Sequence, residues 1–300
     1  MKRLKLWAVA AALIMTASCE KPIISDSDAT DEHGNPVEQV DADVKKFTFT
    51  LKGDFSDEWK PVTRGYLQAD GKDLTDVWVL DYMGNTLVQQ IHQSDNTAED
   101  FGKPVLNLKY GSHHIYFIAS RGQDAELDTD AKTITFSKVL DTFYKDYEVS
   151  VASSSNGNRA VTLDRVVTRL RLTFTDAVSA ETSTIMITPD TRYYGLDYLT
   201  GDPCEPKTAE PTSLTIPATD KGNTGVQINL FSFSQTDEWK TDVTITALNA
   251  DNQTISSVKI MDVPFKANRI TEYAGPLFGS EGAMSMSLNS TWDDAYTGTW

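Results

Sequence analysis

The sequence predicts an all-β fold. Three observations carry this: apolar and polar residues alternate with a period of two in many short runs, turn residues bound those runs, and past the first nineteen residues no stretch keeps a helical period across three turns. The hydrophobic share of 40% in 300 residues supplies enough apolar material for one large core or two ordinary ones, and two are expected.

The N-terminus is read first, because it is excluded from the fold. Lys2, Arg3 and Lys5 precede an apolar run from Leu6 to Met15, and small residues lead on to Cys19, the plan of a secretory signal peptide over 1–18. The run is shorter than the roughly 20 residues a membrane helix needs. Ala17-Ser18-Cys19 resembles a bacterial lipobox, with Thr16 where Leu is usual, so Cys19 is the expected lipidation site and mature N-terminus. Several acyl chains hold a protein on a membrane where one does not. Residues 19–45 are acidic and nearly free of aromatics, and such a segment buries too little surface to offset its ordering entropy; a flexible tether is expected.

From Lys46 the texture changes. Phe47, Phe49 and Leu51 alternate with Thr48, Thr50 and Lys52, the pattern of a half-buried first strand. Residues 77–92 form two β-rich runs around Met83-Gly84-Asn85, where Gly and Asn suit the positive φ of a tight hairpin. The 106–120 run repeats this around Gly111, and 133–139, 147–153 and 165–176 add strands. Only Ala98 to Lys103 gives a short helical signal. In the second half, runs at 182–189, 212–218, 226–233, 242–250, 255–263, 269–278 and 283–292 are mostly bounded by Gly, Pro, Asn or Asp. Short strands at this spacing indicate β-sandwiches. The Ser153 to Asn158 patch is the best candidate for an internal linker or a loop tip, and a boundary near it, around residue 160, gives domains over 46–160 and 161–300.

Charge and motifs exclude several classes of function. Loss of Lys2, Arg3 and Lys5 with the signal peptide moves the formal charge from −16 to −19, so nucleic acid is not an expected partner. The chain lacks G-x-S-x-G, H-E-x-x-H, a Walker loop and a dinucleotide turn, and neither catalysis, a cofactor nor a metal is expected. Of the four histidines, His33, His92, His113 and His114, the adjacent pair points to opposite faces of a strand and cannot share one ion. Asp124, Glu126, Asp128 and Asp130 alternate like a calcium loop, but Thr129 replaces the turn Gly and Thr135 the closing Glu. Tyr193, Tyr194, Tyr198 and Trp239 suit a sugar platform or, more simply, a sandwich core. Cys204 reads as an isolated thiol in a Gly-Asp-Pro-Cys-Glu-Pro loop, and a lipidated Cys19 leaves it nothing to pair with. Arg64 lies in Pro-Val-Thr-Arg-Gly-Tyr, whose turn residues suggest an exposed connection open to a protease, or a plain loop arginine.

Several segments together resemble the Bacteroidales fimbrillin superfamily of pilins and anchor or accessory subunits. They are Cys19 with its tether, Phe47-Thr48-Phe49, Val62 to Gly65, Leu74 to Tyr82 before Gly84-Asn85, Arg165 to Leu172, and Asn268 to Thr271 before Leu277-Phe278. The resemblance implies two tandem transthyretin-like β-sandwich domains, a lipid anchor on the outer membrane, and other fimbrial subunits as partners, with adhesion to host or microbial surfaces. It also implies processing between Arg64 and Gly65, which displaces the strand of Phe47, Phe49 and Leu51 and opens a groove for a strand from another subunit. Met284, Met286 and Leu288 alternate with Ser285 and Ser287 and form the candidate donor strand. Anchor subunits keep both lipid and strand. The alternative is a surface glycan-binding lipoprotein of a polysaccharide-uptake system.

Overall fold

Alternation in the sequence becomes twenty strands in a computed structural model that describes residues 43–53, 74–122, 124–279 and 285–289; among these residues there is no helix. The first nine strands are β1 (Val44–Lys52), β2 (Asp76–Met83), β3 (Thr86–Gln93), β4 (Val105–Lys109), β5 (Gly111–Ser120), β6 (Ala125–Asp128), β7 (Thr133–Phe136), β8 (Thr142–Val151) and β9 (Asn158–Thr162). Next come β10 (Asp164–Arg165), β11 (Val167–Phe174), β12 (Thr184–Pro189), β13 (Thr191–Asp197), β14 (Pro203–Thr208) and β15 (Thr212–Thr215). The last are β16 (Val226–Phe233), β17 (Trp239–Leu248), β18 (Thr254–Phe265), β19 (Ile270–Gly275) and β20 (Ser285–Asn289).

Four sheets result. Strands β4, β1 and β9 form the first, and β10, β8, β5, β2 and β3 the second. An eight-stranded sheet runs β20, β19, β11, β16, β13, β7, β6, with β14 paired to β13, and the fourth runs β15, β12, β17, β18.

Period-two alternation decides which sheet face meets which core. On β5, His113, Ile115, Phe117 and Ala119 take one side, Tyr116 and Ile118 the other, and all six are buried. The first side joins Phe47, Phe49, Leu106, Leu108 and Val161 in a core between the three- and five-stranded sheets. The second side joins Leu80, Tyr82, Tyr144, Leu196, Tyr198 and Phe233, a core between the five- and eight-stranded sheets. A third core lies between the eight- and four-stranded sheets, with Leu170, Leu172, Phe174, Ile187, Ile245 and Phe265 among its members.

The hairpin expected at Met83-Gly84-Asn85 joins β2 to β3, with Gly84 at φ 58° supplying the positive dihedral and Asn85 not needing one. Residues 98–103 form turns in place of a helix: the Phe101 N–H donates to the Ala98 carbonyl and the Lys103 N–H to that of Asp100. With Gly102 at φ 74° and Pro104 next, helical continuation is closed off. The segment around Cys204 is also strand where a loop was expected, since β14 pairs Cys204 with Gly195.

Candidate functional site: the seat of the first strand

Strand β1 occupies the middle of its sheet. It runs antiparallel to β4, with Phe47 opposite Leu106, and parallel to β9, with Phe49 opposite Arg159. Pairing extends past the ladder, because the Phe49 N–H donates to the Pro104 carbonyl at 3.0 Å and the Leu51 N–H to Gly102 at 3.0 Å. On the other side the Thr48 N–H donates to the Gly157 carbonyl at 2.7 Å and the Leu163 N–H to Lys52 at 2.8 Å.

The side chains follow the alternation. Phe47 and Phe49 are fully buried, while Leu51 is half-buried. The Phe49 ring meets Phe117 at 5.2 Å and the edge of Tyr147 at 5.9 Å, contacts worth about 1 kcal/mol each beyond burial. The Arg159 guanidinium lies 5.2 Å over the Phe47 ring. The loop between β8 and β9 closes over the start of the strand. Lys45 Nζ donates to the Ser153 carbonyl at 2.6 Å, and Gly157 comes so close that a Cβ there would lie 2.3 Å from the Lys46 oxygen. Only glycine fits at that position without the loop lifting.

Of the residues proposed from the sequence, Phe47, Phe49 and Leu51 thus come together in this seat. Cys19, Arg64, Gly65 and Met284 lie outside the described residues. Met286 and Leu288 lie on β20, which pairs antiparallel to β19 within the same chain, with Met286 opposite Tyr273 and Leu288 opposite Thr271. Just before it the chain is tied down: Asp176 accepts the backbone N–H groups of Leu277, Phe278 and Gly279. Sequence reasoning missed β9 and this carboxylate, since neither a parallel partner so distant along the chain nor a tertiary acceptor has a local signature. The structure also joins two segments of the fimbrillin-like pattern, because Arg165 Nη1 donates to Asn268 Oδ1 at 3.1 Å.

His113, the Asp124 to Asp130 acids and the four aromatics are absorbed by the fold. His113 and His114 face opposite sides as expected, and His113 is buried, with Nε2 donating to the Lys109 carbonyl and Nδ1 2.7 Å from Asp81 Oδ1. Burial holds the Asp81 carboxyl above the ordinary range, and the His113 contact partly offsets this. Asp124 accepts the Lys138 N–H and the Ser137 hydroxyl, and Asp128 accepts the N–H groups of Asp130 and Ala131, so these acids brace the β6–β7 hairpin. Tyr194 and Tyr198 are core, and Tyr193 meets Trp239 edge-on at 86°, which leaves no flat shelf among the four aromatics.

Burial, with Glu205 and Asp197 nearby, pushes the Cys204 thiol up to about 11 from 9.0. Because the thiolate is the nucleophile, alkylation of the folded protein at pH 8 is expected to run about 100-fold slower than that of an unperturbed cysteine. Iodoacetamide labelling followed by mass spectrometry, native against denatured, measures the ratio. Equal rates would mean that the thiol is free in solution.

Among the described residues the chain is all-β, with β1 seated between β4 and β9 and its two phenylalanines filling the core beneath. The chain belongs to the family of unknown function DUF6562, whose profile matches residues 125–299. No curated protein matches the sequence. Among solved structures, it is similar to a candidate adhesin from Bacteroides thetaiotaomicron at 12% identity and TM-score 0.49, over 82% of this chain and 96% of that one. It is similar to candidate polysaccharide-binding proteins of the same species at 10% and 0.48, over 84% and 98%. It is also similar to the fimbrial anchor protein Mfa2 from Porphyromonas gingivalis at 9% and 0.41, over 84% and 99%. At these identities and scores, the likenesses give no residue a role.

Proposed function

We propose that this chain is a structural subunit or anchor-like component of a cell-surface fimbria, held on the outer membrane by a lipid on Cys19, and that it joins other fimbrial subunits by β-strand addition. The observation that carries this reading is the seat of β1. Among the described residues β4 and β9 pair with no strand but β1, so its departure would leave two open ladders around the pockets of Phe47 and Phe49. An extended segment with large apolar residues at alternate positions refills such a groove, its backbone giving affinity and its side chains register. Adhesion then needs no chemistry, only an exposed folded surface. In the same reading two sandwich domains divide near residue 160, with one core drawn wholly from residues 47–163 and another from 170–277, while β6 and β7 cross to the second domain's eight-stranded sheet and the core between the five- and eight-stranded sheets takes residues from both sides.

The test uses the full chain under native conditions. Trypsin is expected to cut after Arg64, and the product to form ladders on gels run without boiling. Arg64→Ala and a chain ending before Ala283 should form none. A product cut after Arg64 that stays monomeric at high concentration defeats the polymerising form of the proposal.

A further inference from the structure

A second site stands on the opposite face of the five-stranded sheet from β1. His114 on β5 is the register partner of Glu148 on β8, and Asp146 lies two residues along, opposite Tyr116. In an antiparallel pair these three positions project from one face, with Cβ atoms within about 8 Å. This is the face that carries Tyr82, Tyr116 and Tyr144, and the three side chains stand at its rim, 41%, 39% and 75% exposed for His114, Asp146 and Glu148.

Their ligand atoms converge. His114 Nδ1 lies 3.6 Å from Asp146 Oδ1 and 3.8 Å from Glu148 Oε1, and the three atoms all fall within 4.8 Å of one another. Nδ1 itself is shielded from solvent and makes no hydrogen bond to any described residue. The ring is steadied by stacking beside Tyr116 at 6.4 Å and 25°. Nδ1 therefore faces two carboxylate oxygens, each too far for a hydrogen bond, and in the tautomer protonated at Nε2 it presents a lone pair to them. A tetrahedral ion with ligands at about 2.0–2.1 Å sets such atoms about 3.3 Å apart; the two His114 pairs stand a few tenths of an ångström beyond that, and the carboxylate pair, within 4.8 Å, closes by rotation of the exposed Asp146 and Glu148 side chains.

We propose that His114, Asp146 and Glu148 bind a divalent cation of the zinc class. One imidazole nitrogen with two carboxylates and open positions suits that ion. Calcium takes six to eight oxygens, and magnesium, held by carboxylates and water, gains little from an imidazole, so the nitrogen donor favours zinc. The ion straps β5 to β8 at the end of the core without being needed for folding, since no member of the set fills a core. Linear motifs do not reveal it, because His114 is completed by the neighbouring strand and not by His113.

The test is calorimetric titration of the full chain, stripped of metal, with zinc chloride, followed by thermal melting. One saturable zinc per chain is expected, with a rise in Tm at saturation, because an ion that binds only the folded state stabilises it by mass action. Magnesium and calcium chloride at equal concentration should do neither. His114→Ala and Glu148→Gln should each weaken zinc by at least about tenfold, the loss seen even for indirect partners of a metal, and His92→Ala should leave it unchanged. Glu148 is exposed enough for its variant to fold regardless of the outcome at His114. Absence of saturable binding, or wild-type affinity in Glu148→Gln, would overturn the proposal and leave a cluster of surface ion pairs.

Discussion

Phe49→Ala is expected to lower the stability of the folded chain by about 3–5 kcal/mol, the usual cost of truncating a buried phenylalanine. The site has little room to relax. Phe49 is fully buried, its ring is bounded by Phe47, Phe117 and Tyr147, and its backbone is fixed to β4 on one side and β9 on the other. Leu51→Ala, at a half-buried position on the same strand, should cost clearly less. Urea denaturation of the full chain reads both as shifts in midpoint at constant slope. Small losses at both positions would mean that the strand is held by its backbone alone, and the pocket argument for strand capture would fall with that result.

The second large effect is expected at Asp141, between β7 and β8. Arg165 donates to both of its oxygens, Nε to Oδ1 at 2.7 Å and Nη2 to Oδ2 at 3.2 Å, with the two side chains 2% and 4% exposed. Arg121 Nε approaches Oδ2 at 3.7 Å, and the Arg165 guanidinium lies 4.7 Å over the Phe143 ring. Asp141→Ala removes the carboxylate from two cations in a dry site, a loss of about 3–5 kcal/mol. Replacing both partners, Asp141→Leu with Arg165→Met, should cost much less, because burying the pair is itself expensive. Chemical denaturation of the single and double variants separates the two terms. A double variant as unstable as Asp141→Ala would show that packing, not charge, is what the site requires.

Legibility in the sequence followed the range of the interaction. Where a strand's own alternation sets its faces, as at Phe47-Thr48-Phe49 or Ile115 to Ala119, pattern and burial agree. The β2–β3 hairpin was equally local, because its turn lies in the chain at Gly84. The pairing of β1 with β9, the braces at Asp141 and Asp176, and the triad of His114, Asp146 and Glu148 unite residues far apart in the chain and leave no mark in any short window. Cys204 differs for another reason: its prolines suggest a loop, yet β14 is a strand that among the described residues pairs only with β13, and at a sheet edge proline is tolerated.

The parallel pairing of β1 and β9 also fixes an order in time. A chain emerges from synthesis N-terminus first, so residue 48 is exposed long before residue 158, its register partner, exists. Long-range parallel pairing is among the slowest steps of folding, because closure entropy is spent before any contact is gained. The first described strand is therefore among the last to be fully enclosed, and until then Phe47 and Phe49 wait with one flank bare. In that interval the apolar face of β1 is flanked by β4 alone, and its β9 side is the last of the three-stranded sheet to close.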